Sequence, residues 1–356
     1  MHLIARPYKF NLRKNVMPYK ITTNKFLALS AVLFAMVVSS NTAKGQKRSA
    51  EAMQFLDVPQ VSRLVASGGM HVATSVSTSA MTFHNPAAMT DSTSGCIDLN
   101  ISPVAAGIKY ASAAYTHHVD GIGTFTCGLL YAGYGSFDRT DEYGNNIGTF
   151  TANEGAIYLT YTRQMAPWLR LGATLKPMFG KMADDGSFGM AMDFGAMGTF
   201  ADGRLFVGAA IRNAGIVMKK YSDDGRRGNL PFDVKLGLSY KPEHAPFRFN
   251  LTLKDLTNWN LSNGGSKLNF GDNLLRHMLI GLEFSPIKYF YFAAGYDQRR
   301  HREMTDNEVG GMAGFSWGVG IKVAKIDIQY AHNRYHVAGN LNSITISANW
   351  HRLVGK

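Results

Sequence analysis

The chain has 356 residues, 46% hydrophobic and only 17% charged, with 37 glycines, 16 tyrosines and two cysteines. That length allows one large domain or two ordinary ones, and two cysteines exclude both a disulfide framework and a zinc-binding spacing. The formal charge of +12 does not mark a nucleic-acid binder: seven basic residues (Arg6, Lys9, Arg13, Lys14, Lys20, Lys25, Lys44) fall in the first 45 residues, where there is no Asp or Glu. The remaining surplus of five is spread over about 300 residues and makes no polyanion footprint.

From the N-terminus, a basic stretch ends at Lys25 and is followed by an apolar run, FLALSAVLFAMVV, from Phe26 to Val38, and then by small and polar residues, SSNTAKGQ. The run is too short to span a bilayer and has the layout of an export signal. A signal peptide over residues 1–45 is expected, cut after Gly45 or after Ala43, with Met17 an alternative start. No cysteine stands close behind the apolar run, so no lipid-anchored N-terminus is expected.

Residues 46–94 do not alternate strictly. Val58-Pro59, Gly68-Gly69 and Asn85-Pro86 interrupt short apolar pieces. From Cys96 onward the pattern changes to period two, which is the strand signal. In FDVKLGLSYKP, Phe232, Val234, Leu236, Leu238 and Tyr240 share one face, while Asp233, Lys235, Gly237, Ser239 and Lys241 share the other. FRFNLTLK, KIDIQY and SITISANW repeat the arrangement. Fourteen such segments are expected, beginning near Cys96, Gly107, Ile122, Ala156, Trp168, Phe188, Arg204, Phe232, Phe247, Leu274, Tyr289, Met312, Lys325 and Ser343. Each is long enough to cross a hydrocarbon core as a tilted strand.

Even-numbered joints are tight (HHVDG, AP, ADG, PEHAP, SPIK, AK), whereas most odd-numbered ones are long and polar, above all GSFDRTDEYGNNIGTFTANEG from Gly135 to Gly155. Short turns at one end and long loops at the other are the asymmetry of outer-membrane barrels. The expected fold is therefore all-β: a 14-stranded antiparallel transmembrane β-barrel over residues 95–356. Its lumen is too wide for side chains alone to fill, and residues 46–94 are expected to form a hatch inside it. An outer-membrane location follows, with the long loops at the cell surface. Trp168, Tyr289, Tyr291 and Trp350 at one end, and Tyr131, Tyr134 and Trp259 at the other, are expected as aromatic girdles.

No catalytic constellation emerges, and no enzyme activity, metal or cofactor is expected. His332 and His336 on a strand stand roughly 13 Å apart, too far to share a metal. Asp138, Asp141 and Glu142 around Arg139 do not match a calcium loop and read as a salt-bridged loop. Two basic loop patches contain Arg226 and Arg227, and Arg299, Arg300 and Arg302. Such arginines read either as solvated surface or as contacts for lipopolysaccharide or an acidic partner.

FLDVPQVSRLVASGG, followed by TFHNPAAM, resembles the opening of the PorV/PorQ family of outer-membrane proteins. YGSFDRTDEYGNNIGTFTANEGAIYLTYTR is closer to the PorQ branch of the type IX secretion system. The wider relatives are the long-chain fatty acid transporters, whose hatch carries an Asn-Pro-Ala stretch similar to Asn85, Pro86 and Ala87. The resemblance implies a non-enzymatic surface anchor. It would hold PorZ and, with PorV and the sortase PorU, support attachment of cargo to anionic lipopolysaccharide. Phe137, Asp138, Arg139, Asp141, Arg226, Arg227, Arg299 and Arg300 are the loop residues expected to meet a partner. The alternative is a transporter of hydrophobic small molecules, which the Asn-Pro-Ala match and the apolar content favour; a general porin is a third reading. The C-terminus, NWHRLVGK, lacks the terminal aromatic of many such barrels.

Overall fold

The computed structural model describes residues 52–74, 78–221, 228–261, 268–305, 312–336 and 339–351. The expected signal peptide, and Arg226 and Arg227, lie outside the described residues. Within them, fourteen antiparallel strands close into one barrel, each hydrogen-bonded to its sequence neighbours and β1 to β14. The strands are β1 (Cys96–Pro103), β2 (Lys109–Val119), β3 (Gly123–Thr140), β4 (Asn146–Ala166), β5 (Leu169–Met182), β6 (Asp185–Phe200) and β7 (Leu205–Lys219). They continue with β8 (Asp233–Tyr240), β9 (Phe247–Leu253), β10 (Met278–Ile287), β11 (Phe290–Asp297), β12 (Phe315–Val323), β13 (Ile326–His336) and β14 (Gly339–Asn349).

Alternation decides which face meets what. On β1, Leu99 and Ile101 are 52% and 55% exposed, while Asp98, Asn100 and Ser102 are 1%, 5% and 0% exposed. On β8, Asp233, Lys235 and Ser239 are buried, and Leu238 and Tyr240 face out. Apolar outside and polar inside is the reverse of a soluble domain and the pattern of a wall set in hydrocarbon. Closure leaves no unpaired sheet edge for lipid to meet.

Most strands begin within three residues of their expected starts. Three do not. β4 begins ten residues early, at Asn146, because the Gly135–Gly155 stretch is not a loop but an extension of the β3–β4 pair. Pairing runs out to Thr140↔Asn146, through register shifts after Gly133 and Arg139. β10 begins at Met278, four residues late, because Phe270–His277 before it is helical. β14 begins four residues early, at Gly339. Two of the proposed girdle residues also differ. Tyr291 is 6% exposed and points inward under the Arg63 guanidinium, 4.2 Å from its ring centre. Tyr134 turns inward after the Gly133 bulge and donates to Glu154.

Residues 52–74 and 78–94 run along the inside of the wall. They include α1 (Ser62–Ala66) and several single 3-10 turns. Phe55, Leu56, Val61, Val65, Met81, Phe83 and Met89 are 0–1% exposed. Wall glycines set the closeness of this contact. A Cβ on Gly195 would stand 2.1 Å from Asn85 Oδ1, on Gly172 2.2 Å from the Pro86 carbonyl, and on Gly208 2.4 Å from the Val72 carbonyl. On the opposite wall, a Cβ on Gly295 would lie 2.0 Å from Gly68 N. Real Cβ atoms do not approach that near, so backbone rests on backbone at Gly172, Gly208 and Gly295, and the Asn85 side chain rests on the wall backbone at Gly195.

Two further helices lie at the end of the barrel with the longer connections, here the loop end. They are α2 (Phe270–His277) and α3 (Gln298–Thr305). Asn269 caps α2 by accepting from Asp272 N at 2.7 Å, and Arg276 and His277 occupy its last turn, where the helix dipole favours cations.

Candidate functional site

At the loop end, between the ribbon of β3 and β4 and the inner segment, lies a cavity of about 710 Å³. That is within the range of small-molecule sites. Its walls are mostly apolar: Ala52 and Met53 from the inner segment, Ala106 and Ile108 from the β1–β2 connection, Phe137 and Phe150 from the ribbon, and Met182 and Val217 from β5 and β7. Phe137 and Phe150 stack face to face at 5.4 Å. One polar cluster interrupts the apolar wall. Tyr134 Oη donates to Glu154 Oε2 at 2.5 Å, and Tyr221 Oη donates to Glu154 Oε1 at 3.1 Å. Lys181 and Lys220 also line the cavity.

A second cavity, about 330 Å³, lies towards β8–β11 and is lined by charge. Its ionic groups are paired: Lys235 with Asp233 at 3.3 Å, Lys254 with Asp297 at 2.6 Å, and Arg299 with Asp255 at 2.5 Å. Gln54 lines both cavities, so the first turn of the inner segment separates an apolar chamber from an ionic one.

Below that turn, two cations from the wall hold the inner segment. Arg212 donates to the Leu56 carbonyl at 3.0 Å and lies 4.6 Å from the Phe83 ring centre. Lys176 stands 5.1 Å from the same ring and pairs with Asp193 at 2.7 Å, both side chains fully buried. A bulge presents this group. The β6–β7 register shifts between Met192 and Phe194, Asn213 takes φ +56°, and Arg212 and Asn213 both turn inward. Asn85, Pro86 and Ala87 form a turn closed by Ala87 N donating to Asn85 Oδ1 at 2.9 Å. Asn85 Nδ2 donates to the Val72 carbonyl at 2.8 Å, and the Pro86 carbonyl accepts from Thr162 Oγ1 at 2.5 Å. This motif is a structural clasp between inner segment and wall, and none of its three residues lines the apolar cavity.

The loop residues singled out by sequence separate. Phe137 lines the apolar cavity. Asp138 is exposed on the ribbon. Arg139 reaches across to Asp184 at 2.8 Å rather than to its neighbouring carboxylates. Asp141 builds the ribbon's turn, accepting from Tyr143 N, Asn145 N and Asn145 Nδ2 at 2.8–2.9 Å. Arg299 is spent on Asp255 and Glu303, and Arg300, beside it on α3, lines the ionic cavity. Glu154 and Tyr221 are not singled out by the sequence, which reads Tyr134 only as a girdle aromatic. Only Glu154, a lone carboxylate amid apolar and small residues at the ribbon's base, offered a signal.

Among solved structures, the toluene transporter TodX of Pseudomonas putida superposes with a TM-score of 0.52 at 12% identity, covering 83% of this chain and 98% of its own. A monoaromatic hydrocarbon channel, CymD, gives 0.50 at 13% identity, over 84% of this chain and 99% of its own. The barrel fold is shared with these channels. A FadL homologue of Pseudomonas aeruginosa gives 0.48 at 9% identity, over 82% and 98%. No protein-family model matches the chain, and no curated protein matches it by sequence.

Proposed function

We propose that this chain is a non-enzymatic outer-membrane protein that takes up a hydrophobic small molecule at its loop end and serves its passage across the membrane. The observation that carries this reading is the 710 Å³ apolar cavity, floored by the inner segment and roofed by the β3–β4 ribbon. An apolar body fits the Phe137, Phe150 and Val217 walls, and the Tyr134–Glu154–Tyr221 cluster gives one end of the ligand a place to hydrogen-bond. The likeness to barrels described as a toluene transporter and a monoaromatic hydrocarbon channel supports the same class of ligand. Saturation-transfer NMR on protein in nanodiscs, with toluene and a graded series of fatty acids, tests it. Val217→Arg places a charge in the cavity wall and is expected to weaken binding at least about tenfold, or ~1.4 kcal/mol. Binding of no apolar probe, or binding untouched by Val217→Arg, would remove the reading.

A second reading is favoured by the ribbon itself, which carries Phe137, Asp138, Arg139 and Asp141 beyond the barrel rim. On this reading the chain is the surface anchor implied by the PorV/PorQ resemblance, holding a PorZ-type protein beside PorU and PorV at lipopolysaccharide. Pull-down from gently solubilised outer membranes separates the two. Recovery of such partners, lost when residues 137–149 are replaced by a two-residue turn, supports the anchor. Recovery of the barrel alone counts against it.

A further inference from the structure

The wall is uneven in height. β3 and β4 have 18 and 21 residues, whereas β8 has 8 and β9 only 7. A tilted strand needs about 9–11 residues to cross the hydrocarbon. β1 and β11, with 8 residues each, are as short as β8; at β8 and β9 two short strands stand side by side, between β7 with 15 residues and β10 with 10.

α2 stands above that sector, immediately before β10, and its polarity is inverted. Its polar residues face the protein: Asn273, Arg276 and His277 are 5%, 7% and 0% exposed. They bond inward, Asn273 Nδ2 to the Trp259 carbonyl, Arg276 Nη1 to the Leu261 carbonyl at 3.4 Å and His277 Nδ1 to the Lys254 carbonyl at 2.7 Å. Its apolar residues face out, Phe270 at 70% and Leu275 at 46% exposed, beside Trp259 at 43%. Trp259 stacks on His277 at 4.8 Å and leans on Phe270 at 5.9 Å. The chain passes directly from α2 into β10, whose Ile280 and Leu282 face lipid. In water, such a helix would expose its greasy side and hide its hydrogen-bonding side, the opposite of a solvated amphipathic helix.

We infer that α2 is a lipid-contacting helix: with Trp259 it completes the apolar belt above the short strands β8 and β9. Its occupant is acyl chain from the leaflet at the loop end. Continuity with the belt and the inverted polarity carry the assignment, and neither depends on the transport reading.

The test uses full-length protein in liposomes with Trp259 as the sole tryptophan, through Trp168→Phe, Trp317→Phe and Trp350→Phe. Phosphatidylcholine brominated on its acyl chains is expected to remove most of the Trp259 emission, and iodide on both sides of the bilayer is expected to leave it. Quenching by iodide but not bromine would place α2 in water and overturn the inference. Quenching by neither would mean that protein, such as a second copy, covers the patch, and would overturn it equally. Should the triple variant fail to assemble, a spin label at Leu275→Cys in a Cys96→Ser, Cys127→Ser background gives the same answer. Collisions with oxygen exceeding those with an aqueous nickel chelate are expected, and the reverse ordering refutes lipid contact.

Discussion

Lys176 and Asp193 show how single side chains secure the interior. Both are 0% exposed, 2.7 Å apart, and Lys176 also donates to Asn213 Oδ1 at 2.5 Å. Two charges removed from water lose their hydration, and attraction at short range offsets that loss only while both are present. Asp193→Ala should therefore lower the unfolding free energy by about 3–5 kcal/mol, measured by urea denaturation in lipid vesicles. Adding Lys176→Met should recover most of that, because no charge is then left unpaired. A single variant as stable as the parent would show the pair to be incidental.

At the level of elements, the tip of the β3–β4 ribbon is exposed to solution. Its turn rests on Asp141, which accepts from the Asn145 side chain, the Asn145 amide and the Tyr143 amide. The Asn145 bonds, side chain first, hold its carboxyl below the ordinary 3.8. A carboxylate depressed in the folded state stabilises above its unfolded pKa and stops doing so as pH falls through the folded one. The ribbon turn should then loosen below roughly pH 4. Hydrogen exchange at the Asn145 and Tyr143 amides should quicken there relative to Asp141→Asn, and identical pH profiles would count against the account.

The strands were legible because period-two alternation survives wherever one face meets lipid and the other a polar lumen; Asp233 to Tyr240 is the plainest case. The ribbon was not, since Asp141 to Asn145 spells a turn and its flanks lie beyond the lipid that enforces alternation. α2 escaped for a related reason. Phe270–Asn273 reads as the end of a polar joint and Leu274–His277 as the start of a strand, because eight residues give a helical period too little length to compete. The cavity was the least visible feature. Glu154, Tyr134 and Tyr221 sit on three different strands or their ends, and a bulge after Gly133 aims Tyr134 inward. Convergence of that kind depends on register and closure, which no local pattern encodes.

For the whole molecule, sidedness is the controlling property. Leu99 near the middle of β1 faces lipid, and its neighbour Asn100 faces the lumen, donating to Ser343, Ile344 and Thr345. Leu99→Arg should cost about 2–4 kcal/mol of folding free energy in a bilayer, while the same change beyond the belt, at Ile147, should cost about 0–1 kcal/mol. Refolding into vesicles monitored by electrophoretic mobility gives both values, and equal costs would mean that the belt does not include β1.

The glycine-lined inner wall carries a consequence for the order of assembly. The inner segment pressed against the wall backbone at Gly172, Gly195, Gly208 and Gly295 leaves no clearance for threading a chain into a finished ring. The segment also leaves the lumen at the seam itself, where Trp350 N donates to the Gly95 carbonyl beside the β1–β14 pairing. A cylinder built this way wraps around its filling, so the last ladder to zip is the one that shuts the filling in.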